Sequence, residues 1–162
     1  MCNIVENLQK FEELEKQNLA IMHFNKSEMN KMSIKDIFKL LDFCLTLFRK
    51  NYELNNFDMI IKISDKCEEL FSMLHFSDYK NNYKYIEIAL EIACLVYEQT
   101  YKYTLKTQIL KEIIESEESP KDIKIRALEN ILEPEPESVS LIKEQINYYT
   151  ELLKTLQLEE GL

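Results

Sequence analysis

The stretch NYELNNFDMIIKISDKCEEL, from Asn51 to Leu70, decides how the chain folds. It is typical of the end of one helix, a polar break at Asn55 and Asn56, and the start of a second helix that begins on an aromatic residue. A similar stretch, VYEQTYKYTLKTQILKEII, follows about 45 residues later, at Val96–Ile114. The two stretches predict one helical hairpin that is used twice.

Glycine is almost missing from the chain, and this restricts both fold and function. Of 162 residues, one is glycine and three are proline. Tight β-hairpin turns depend on glycine or Asn-Gly to reach positive φ, so the composition predicts an all-α fold. A phosphate-binding loop, a dinucleotide fingerprint and a nucleophile elbow are excluded, because each needs glycine where the backbone turns sharply or approaches a ligand. We therefore expect a protein that is not an enzyme.

The cysteines and histidines are too far apart in the sequence to predict a metal site or a disulfide framework. No two cysteines form a C-x-x-C pair, and neither histidine belongs to a Glu-x-x-His motif. We expect the cysteines to pack as small apolar residues, and we expect no cofactor. These residues are Cys2, Cys44, Cys67, Cys94, His23 and His75.

Charge points to a soluble chain with a basic protein as its partner. The first residues, MCNIVENLQKFEELEKQ, are charged throughout, which predicts an intracellular protein, nuclear or cytoplasmic. The formal net charge is −9, which argues against direct contact with nucleic acid. Residues 1–80 carry 11 basic and 13 acidic side chains, whereas residues 81–162 carry 9 and 16. The acidic second half would attract a basic partner.

Hydrophobic periodicity predicts about seven antiparallel helices with short connections. Ser33 is expected to cap the second helix, and Asn55 or Asn56 the third. Ser119, which precedes Pro120, is expected to cap the sixth. The stretches NKSEMNKMS and HFSDYKNN are predicted to be loops. The predicted helices are Ile4–Phe24, a second from Ser33, Phe57–Leu74, Tyr83–Gln99, Tyr103–Glu118, a short sixth from Ser119, and a last one from Ser138.

These helices are assigned to a single all-helical domain. It would consist of an N-terminal helix (1–24), two hairpins (33–118) and acidic capping helices (119–162). The second and fourth helices are apolar on two sides, as expected for helices flanked by neighbours. Whether the hairpins stack or close into a compact helical bundle stays open. The third helix is expected to turn inward Ile60, Ile61, Ser64, Cys67, Leu70 and Phe71.

The hairpins resemble tetratricopeptide repeats over about half the chain. That family has an aromatic residue in its first helix, another after the turn, and small residues where the two helices touch. Lys106 departs from the pattern, because alanine is expected there. The resemblance implies stacked hairpins that bind another protein in a groove. The matching residues are Leu47, Phe48, Tyr52, Phe57, Ile60, Ser64, Cys67 and Leu70, and then Cys94, Tyr97, Tyr103, Leu110 and Ile113.

The whole layout resembles the histone-binding repeat proteins related to nuclear autoantigenic sperm protein. In both, an isolated helix precedes two hairpins, and a long charged helix follows, here LIKEQINYYTELLKTL. The long acidic insertion that this family usually has in an earlier repeat is missing from the chain. The resemblance implies a histone chaperone-like escort that binds core histones.

On this register the first helix of each hairpin would present acidic and apolar residues, with one arginine, to a groove. Such a mixture suits a basic amphipathic segment and does not suit an acidic tail. We expect a protein partner, without direct contact to nucleic acid or membrane. The alternative is a scaffold subunit of a larger assembly, such as a proteasome-lid-like, transport or ribosome-associated complex. The predicted partner-binding residues are Asp42, Leu45, Arg49, Tyr52, Glu53, Ile88, Glu91, Leu95 and Glu98.

Overall fold

A computed structural model describes residues 14–133 and 141–161 of the protein. Every regular element within these residues is a helix, so the predicted all-α fold is confirmed. The chain divides into two compact units, one ending at Tyr79 and one beginning at Lys80. Each unit contains one of the two predicted hairpins. Cys2, the predicted helical residues 4–13 and the predicted cap Ser138 lie outside the described residues.

Unit 1, which ends at Tyr79, is built around a long helical hairpin. Its described elements are α1 (Leu14–Met22), α2 (Lys26–Met29), α3 (Ile34–Glu53), α4 (Phe57–Phe71) and a 3₁₀ turn (Phe76–Asp78). The cap at Ser33 is confirmed, because its Oγ accepts a hydrogen bond from the Asp36 N–H at 3.2 Å. The loop predicted before it contains α2, which starts where Asn25 Oδ1 accepts the Glu28 N–H at 2.9 Å.

The core of unit 1 explains why its helices differ. Helix α3 is buried on more than one side, as its sequence predicts, with Leu41 and Phe48 fully enclosed. Helix α4 packs against it and buries one side, including Ile60 and Cys67. The inward orientation predicted for Ile61 is wrong, since its side chain is 53% exposed. Adjacent residues point about 100° apart around a helix, so Ile60 and Ile61 cannot both face α3.

Unit 2 begins at Lys80 and holds the second hairpin and two further helices. Its described elements are α5 (Tyr83–Glu91), a π-helical segment (Ile92–Tyr97), α6 (Tyr103–Glu115), α7 (Lys121–Ile131) and α8 (Lys143–Gly161). The predicted cap at Ser119 is wrong, because its hydroxyl donates to the Ile113 carbonyl at 2.6 Å. Ser119 therefore satisfies a carbonyl in the last turn of α6, and no side chain caps α7.

Helix α8 packs on one side against α7. Tyr149 is buried there, and Lys121 forms an ion pair with Glu159 at 2.6 Å. The rest of α8 buries little. Four apolar or aromatic side chains on α8 or just before it are exposed to solvent: Ile142, Ile146, Tyr148 and Leu158.

The hairpin of unit 1 turns through a Schellman motif. The Asn56 N–H donates to the Asn51 carbonyl at 2.9 Å, and the Asn55 N–H donates to the Tyr52 carbonyl at 3.1 Å. Asn55 has a φ of 57°, the left-handed conformation that this motif requires at the residue after the helix. Asparagine tolerates this conformation better than most residues, and it stands here in place of glycine.

The hairpin of unit 2 repeats this turn 46 residues later, with Tyr97 in the position of Asn51. The Lys102 N–H donates to the Tyr97 carbonyl at 2.9 Å, and the Tyr101 N–H donates to the Glu98 carbonyl at 3.4 Å. The left-handed residue is Tyr101, with a φ of 62°. The two hairpins therefore share one backbone turn, as the two sequence stretches predict.

Candidate functional site

Helix α3 exposes four of its five predicted partner-binding residues. Asp42, Arg49, Tyr52 and Glu53 are exposed, and the ring of Tyr52 stacks on Phe48 with centroids 6.1 Å apart. The fifth, Leu45, is fully buried and is part of the core of unit 1. Its side chain is therefore not accessible to a partner.

The predicted residues of unit 2 are less accessible. Ile88 is buried, while Glu91, Leu95 and Glu98 are each half-buried. The π-helical segment Ile92–Tyr97 separates Glu91 from Glu98. A π turn adds a residue to the helical repeat, so the α-helical register that groups these four residues on one face is interrupted.

Glu98 already binds a cation within its own hairpin. Its Oε2 lies 2.6 Å from Nζ of Lys106, whose side chain is 2% exposed, whereas that of Glu98 is 32% exposed. A buried ammonium needs a charged partner, because removing it from water without one is very unfavourable. The predicted role of Glu98 in binding a partner therefore competes with an internal ion pair.

The outer side of α4 is the surface that the sequence-based prediction missed. We call it the α4 outer face. The prediction assigned Ile61 to the core and Phe57 to the first position of the helix after the turn, which left the helix without a recognisable exposed pattern. The sequence does contain a signal for this face. The charged residues that follow Phe57 and Ile61, up to the end of α4, recur at helical spacing. The exposed residues of the α4 outer face are Phe57, Asp58, Ile61, Lys62, Asp65, Glu68, Glu69 and Ser72.

The α4 outer face is apolar near its start and acidic near its end. Phe57 is 59% exposed and Ile61, one turn later, is 53% exposed. The adjoining turn exposes Leu54 as well. The second half of the helix forms a shallow hollow of about 420 Å³ at the surface. The described residues that line this hollow are Asp65, Glu68, Glu69 and Ser72.

Two lysines of α4 lie near these carboxylates. Lys66 is buried, and its Nζ donates to the Phe24 carbonyl at 2.6 Å and lies 3.4 Å from Glu69 Oε2. Lys62 is exposed on the α4 outer face itself. No basic residue lies in the last turn of α4. The negative end of the helix dipole therefore adds to the field of the carboxylates at the hollow.

The chemistry of the described residues includes no metal cluster. No group of three or more histidine, cysteine, aspartate or glutamate side chains is arranged to hold a metal ion in residues 14–133 and 141–161. In unit 2, burial raises the pKa of the Cys94 thiol to about 11, against the lowering effect of Lys106 and Arg126. A thiol with this pKa is a poor nucleophile near neutral pH.

Among the described helices, none is long and apolar enough to cross a membrane. Comparisons with models of protein families, with curated proteins and with solved structures found no match to this chain. Functional reasoning therefore rests on the surfaces of the two units.

Proposed function

We propose that this protein is a non-enzymatic interaction module that binds a basic protein partner. The observation that carries the proposal is the α4 outer face, where exposed apolar side chains adjoin a group of carboxylates. Exposed large apolar residues in a cluster mark protein-binding surfaces more often than isolated ones do. The adjacent negative charge selects the sign of the partner.

The exposed residues of α3 support the same kind of partner. Asp42, Glu53 and Tyr52 offer two carboxylates and an aromatic ring, and Arg49 is the single cation among the predicted residues. Together with the net charge of −9, these residues favour a basic over an acidic ligand. Electrostatic attraction of this kind accelerates association and weakens as salt screens it.

The most specific form of the proposal is a histone chaperone-like escort, as the resemblance to the histone-binding repeat family implies. Core histones are small and strongly basic, and they carry amphipathic helices. An acidic escort would screen their charge and cover their apolar surface until they are delivered. Such a role would place the protein in the nucleus or the cytoplasm.

Binding of the full-length protein to purified core histones, measured at two salt concentrations, tests the proposal. We expect binding at about 50 mM salt and strong weakening at about 300 mM, because the Debye length shortens. Cytochrome c, another small basic protein, serves as the control for net charge. Equal binding of both proteins would show that net charge alone accounts for the interaction. If histones do not bind at the lower salt concentration, the proposal is refuted.

A second candidate function, a scaffold subunit of a larger assembly, is favoured by a different observation. Helix α8 and the residue before it expose Ile142, Ile146, Tyr148 and Leu158. Exposed apolar side chains suit a permanent interface, which would be insensitive to salt. Recovery of the same set of subunits at both salt concentrations would favour the scaffold over the escort.

A further inference from the structure

We infer that the α4 outer face binds an amphipathic basic helix in one register, with apolar side chains over Phe57 and Ile61 and cations over the hollow. This inference rests on the proposed function and assigns it to a surface, a partner conformation and an order of contacts. Phe57 and Ile61 are four residues apart and therefore lie on one side of the helix. The hollow begins at Asp65, one further turn along.

The dimensions of the face determine the length of the partner. With a rise of about 1.5 Å per residue, Phe57 and Ser72 are separated by about 22 Å along the helix axis. A partner helix of about 16 residues covers that distance. Its apolar residues would occupy two turns and its lysines or arginines the next two. A partner with both kinds of residue evenly distributed would place cations on Phe57 and apolar groups on the carboxylates.

The position of the carboxylates supports a role in binding. Glu68 and Glu69 lie in the last turn of α4, where the helix dipole is negative and acidic side chains are unfavourable. Lysine or arginine in these positions would stabilise the helix. A bound cation would interact favourably with both the carboxylates and the negative end of the helix dipole.

Charge also distinguishes between occupants. A second copy of the chain, docked through the same face by a two-fold axis, would place one α4 against another. Parallel packing would then place carboxylates against carboxylates, and antiparallel packing would place the carboxylates of each copy against Phe57 and Ile61 of the other. An acidic peptide would be repelled by the carboxylates along the second half of the α4 outer face. A basic helix alone satisfies both halves of the face.

A designed peptide provides the test. It is a helix of about 16 residues, with leucines on one face of its first two turns and lysines on the same face of its last two turns. A second peptide has the same composition, but leucine and lysine alternate along that face. We expect the first peptide to bind the full-length protein at least about tenfold more tightly in calorimetric titrations.

Two double variants locate the binding site. Phe57→Ser with Ile61→Ser removes the apolar half, and Glu68→Gln with Glu69→Gln removes two of the three carboxylates that line the hollow, with side chains of nearly the same shape. We expect each to weaken the first peptide by about tenfold. The glutamate variant should also reduce the dependence of binding on salt. All four side chains are exposed, so the fold should be retained, which circular dichroism would verify.

Matched controls come from unit 2. Ile142 and Ile146 are exposed and four residues apart, so Ile142→Ser with Ile146→Ser reproduces the apolar change elsewhere. Glu117→Gln with Glu118→Gln reproduces the change of an adjacent exposed acidic pair. We expect both controls to bind the first peptide within about twofold of the original protein.

The outcomes separate the two proposals. If the α4 variants bind like the original protein, or if both peptides bind equally, the inference is overturned, whether or not histones bind. If histones bind and lose binding only when Asp42 and Glu53 of α3 are changed, the function stands and the α4 outer face is not the site. If neither histones nor either peptide binds, both proposals fail.

Discussion

The two hairpins share one backbone turn but stabilise it in different ways. In unit 1 the residue that starts the turn, Asn51, is fully buried and its side chain joins a network of amides. In unit 2 its counterpart Tyr97 is buried as well, and the polar contact is an ion pair between Glu98 and Lys106. The same turn can thus occur above different buried side chains. Backbone hydrogen bonds define the turn, and the buried polar side chains only need hydrogen-bond or charge partners of their own.

The amide network of unit 1 joins α1 to the hairpin. Asn51 Nδ2 donates to Asn18 Oδ1 at 2.9 Å and to the Leu47 carbonyl at 2.8 Å, and Asn18 Nδ2 donates back to Asn51 Oδ1 at 3.1 Å. Asn56 Nδ2 donates to the same oxygen at 3.1 Å. Asn56, which was predicted as a possible side-chain cap of α4, therefore faces the preceding helix.

The largest effect is expected for Asn51→Leu. The change keeps the volume but leaves the buried amide of Asn18 without its partner, so unit 1 should lose about 3 kcal/mol of unfolding free energy. Urea unfolding with hydrogen exchange of α3 would measure this loss. Asn56→Ala, at an exposed position, should cost about 1 kcal/mol or less. A loss below about 1 kcal/mol for Asn51→Leu would show that the network is not what holds the turn.

The ion pair of unit 2 should give the second largest effect. Glu98→Gln removes the carboxylate that lies 2.6 Å from the buried ammonium of Lys106, and about 2 kcal/mol of unfolding free energy should be lost. The value lies below that of a fully buried pair because Glu98 is partly exposed. Lys106 corresponds to Ile60 of unit 1, so adding Lys106→Met should restore most of the stability. Failure of this second change to rescue Glu98→Gln would mean that the glutamate acts through other contacts.

The left-handed residues should differ in their response to glycine. Tyr101 is 79% exposed, and a bulky residue in this conformation is disfavoured by about 1–2 kcal/mol. Tyr101→Gly should therefore raise the unfolding free energy of unit 2 by about 1 kcal/mol, after the entropy of glycine is subtracted. Asn55→Gly should change unit 1 by less than about 0.5 kcal/mol. Thermal unfolding of both variants would test the difference, and equal shifts would contradict it.

The sequence predicts the helices and the repeated turn because these depend on local chemistry. Missing glycine, apolar periodicity and the polar residues at Asn55 and Asn56 are all visible within a short window. Ser33 is predicted correctly for the same reason. Ser119 is not, because its hydroxyl finds a carbonyl in the preceding helix instead of the N–H groups that follow.

The candidate site is harder to predict because it depends on which side of a helix is covered. A change of one position decides whether Ile60 or Ile61 faces α3, and both are equally apolar. The π-helical segment Ile92–Tyr97 shifts the helical register that follows α5, and it contains no proline or glycine from which this shift could be predicted. The burial of Lys106 follows from a partner on the other side of the turn, which spacing alone does not show.

The smallest effect is expected at the ends of the second helices, where both hairpins carry carboxylates and no basic residue. In α6, burial raises the pKa of Glu112 above its ordinary value of 4.5, and the charge of Glu115 raises it further. The folded state therefore binds this proton more tightly than the unfolded state does. Its contribution to stability is complete below the unfolded pKa and is lost as the pH rises through the folded pKa.

Glu112→Gln should accordingly raise the unfolding free energy by about 0.5 kcal/mol at pH 7, and the gain should vanish below about pH 4. Since Glu112 is only partly buried, solvent screening limits the gain. Urea titrations at both pH values measure it, and a gain that persists in acid would exclude titration as its cause. Glu69→Gln in unit 1 should not give this gain, because Glu69 lies 3.4 Å from Nζ of the buried Lys66 and serves as its counter-charge.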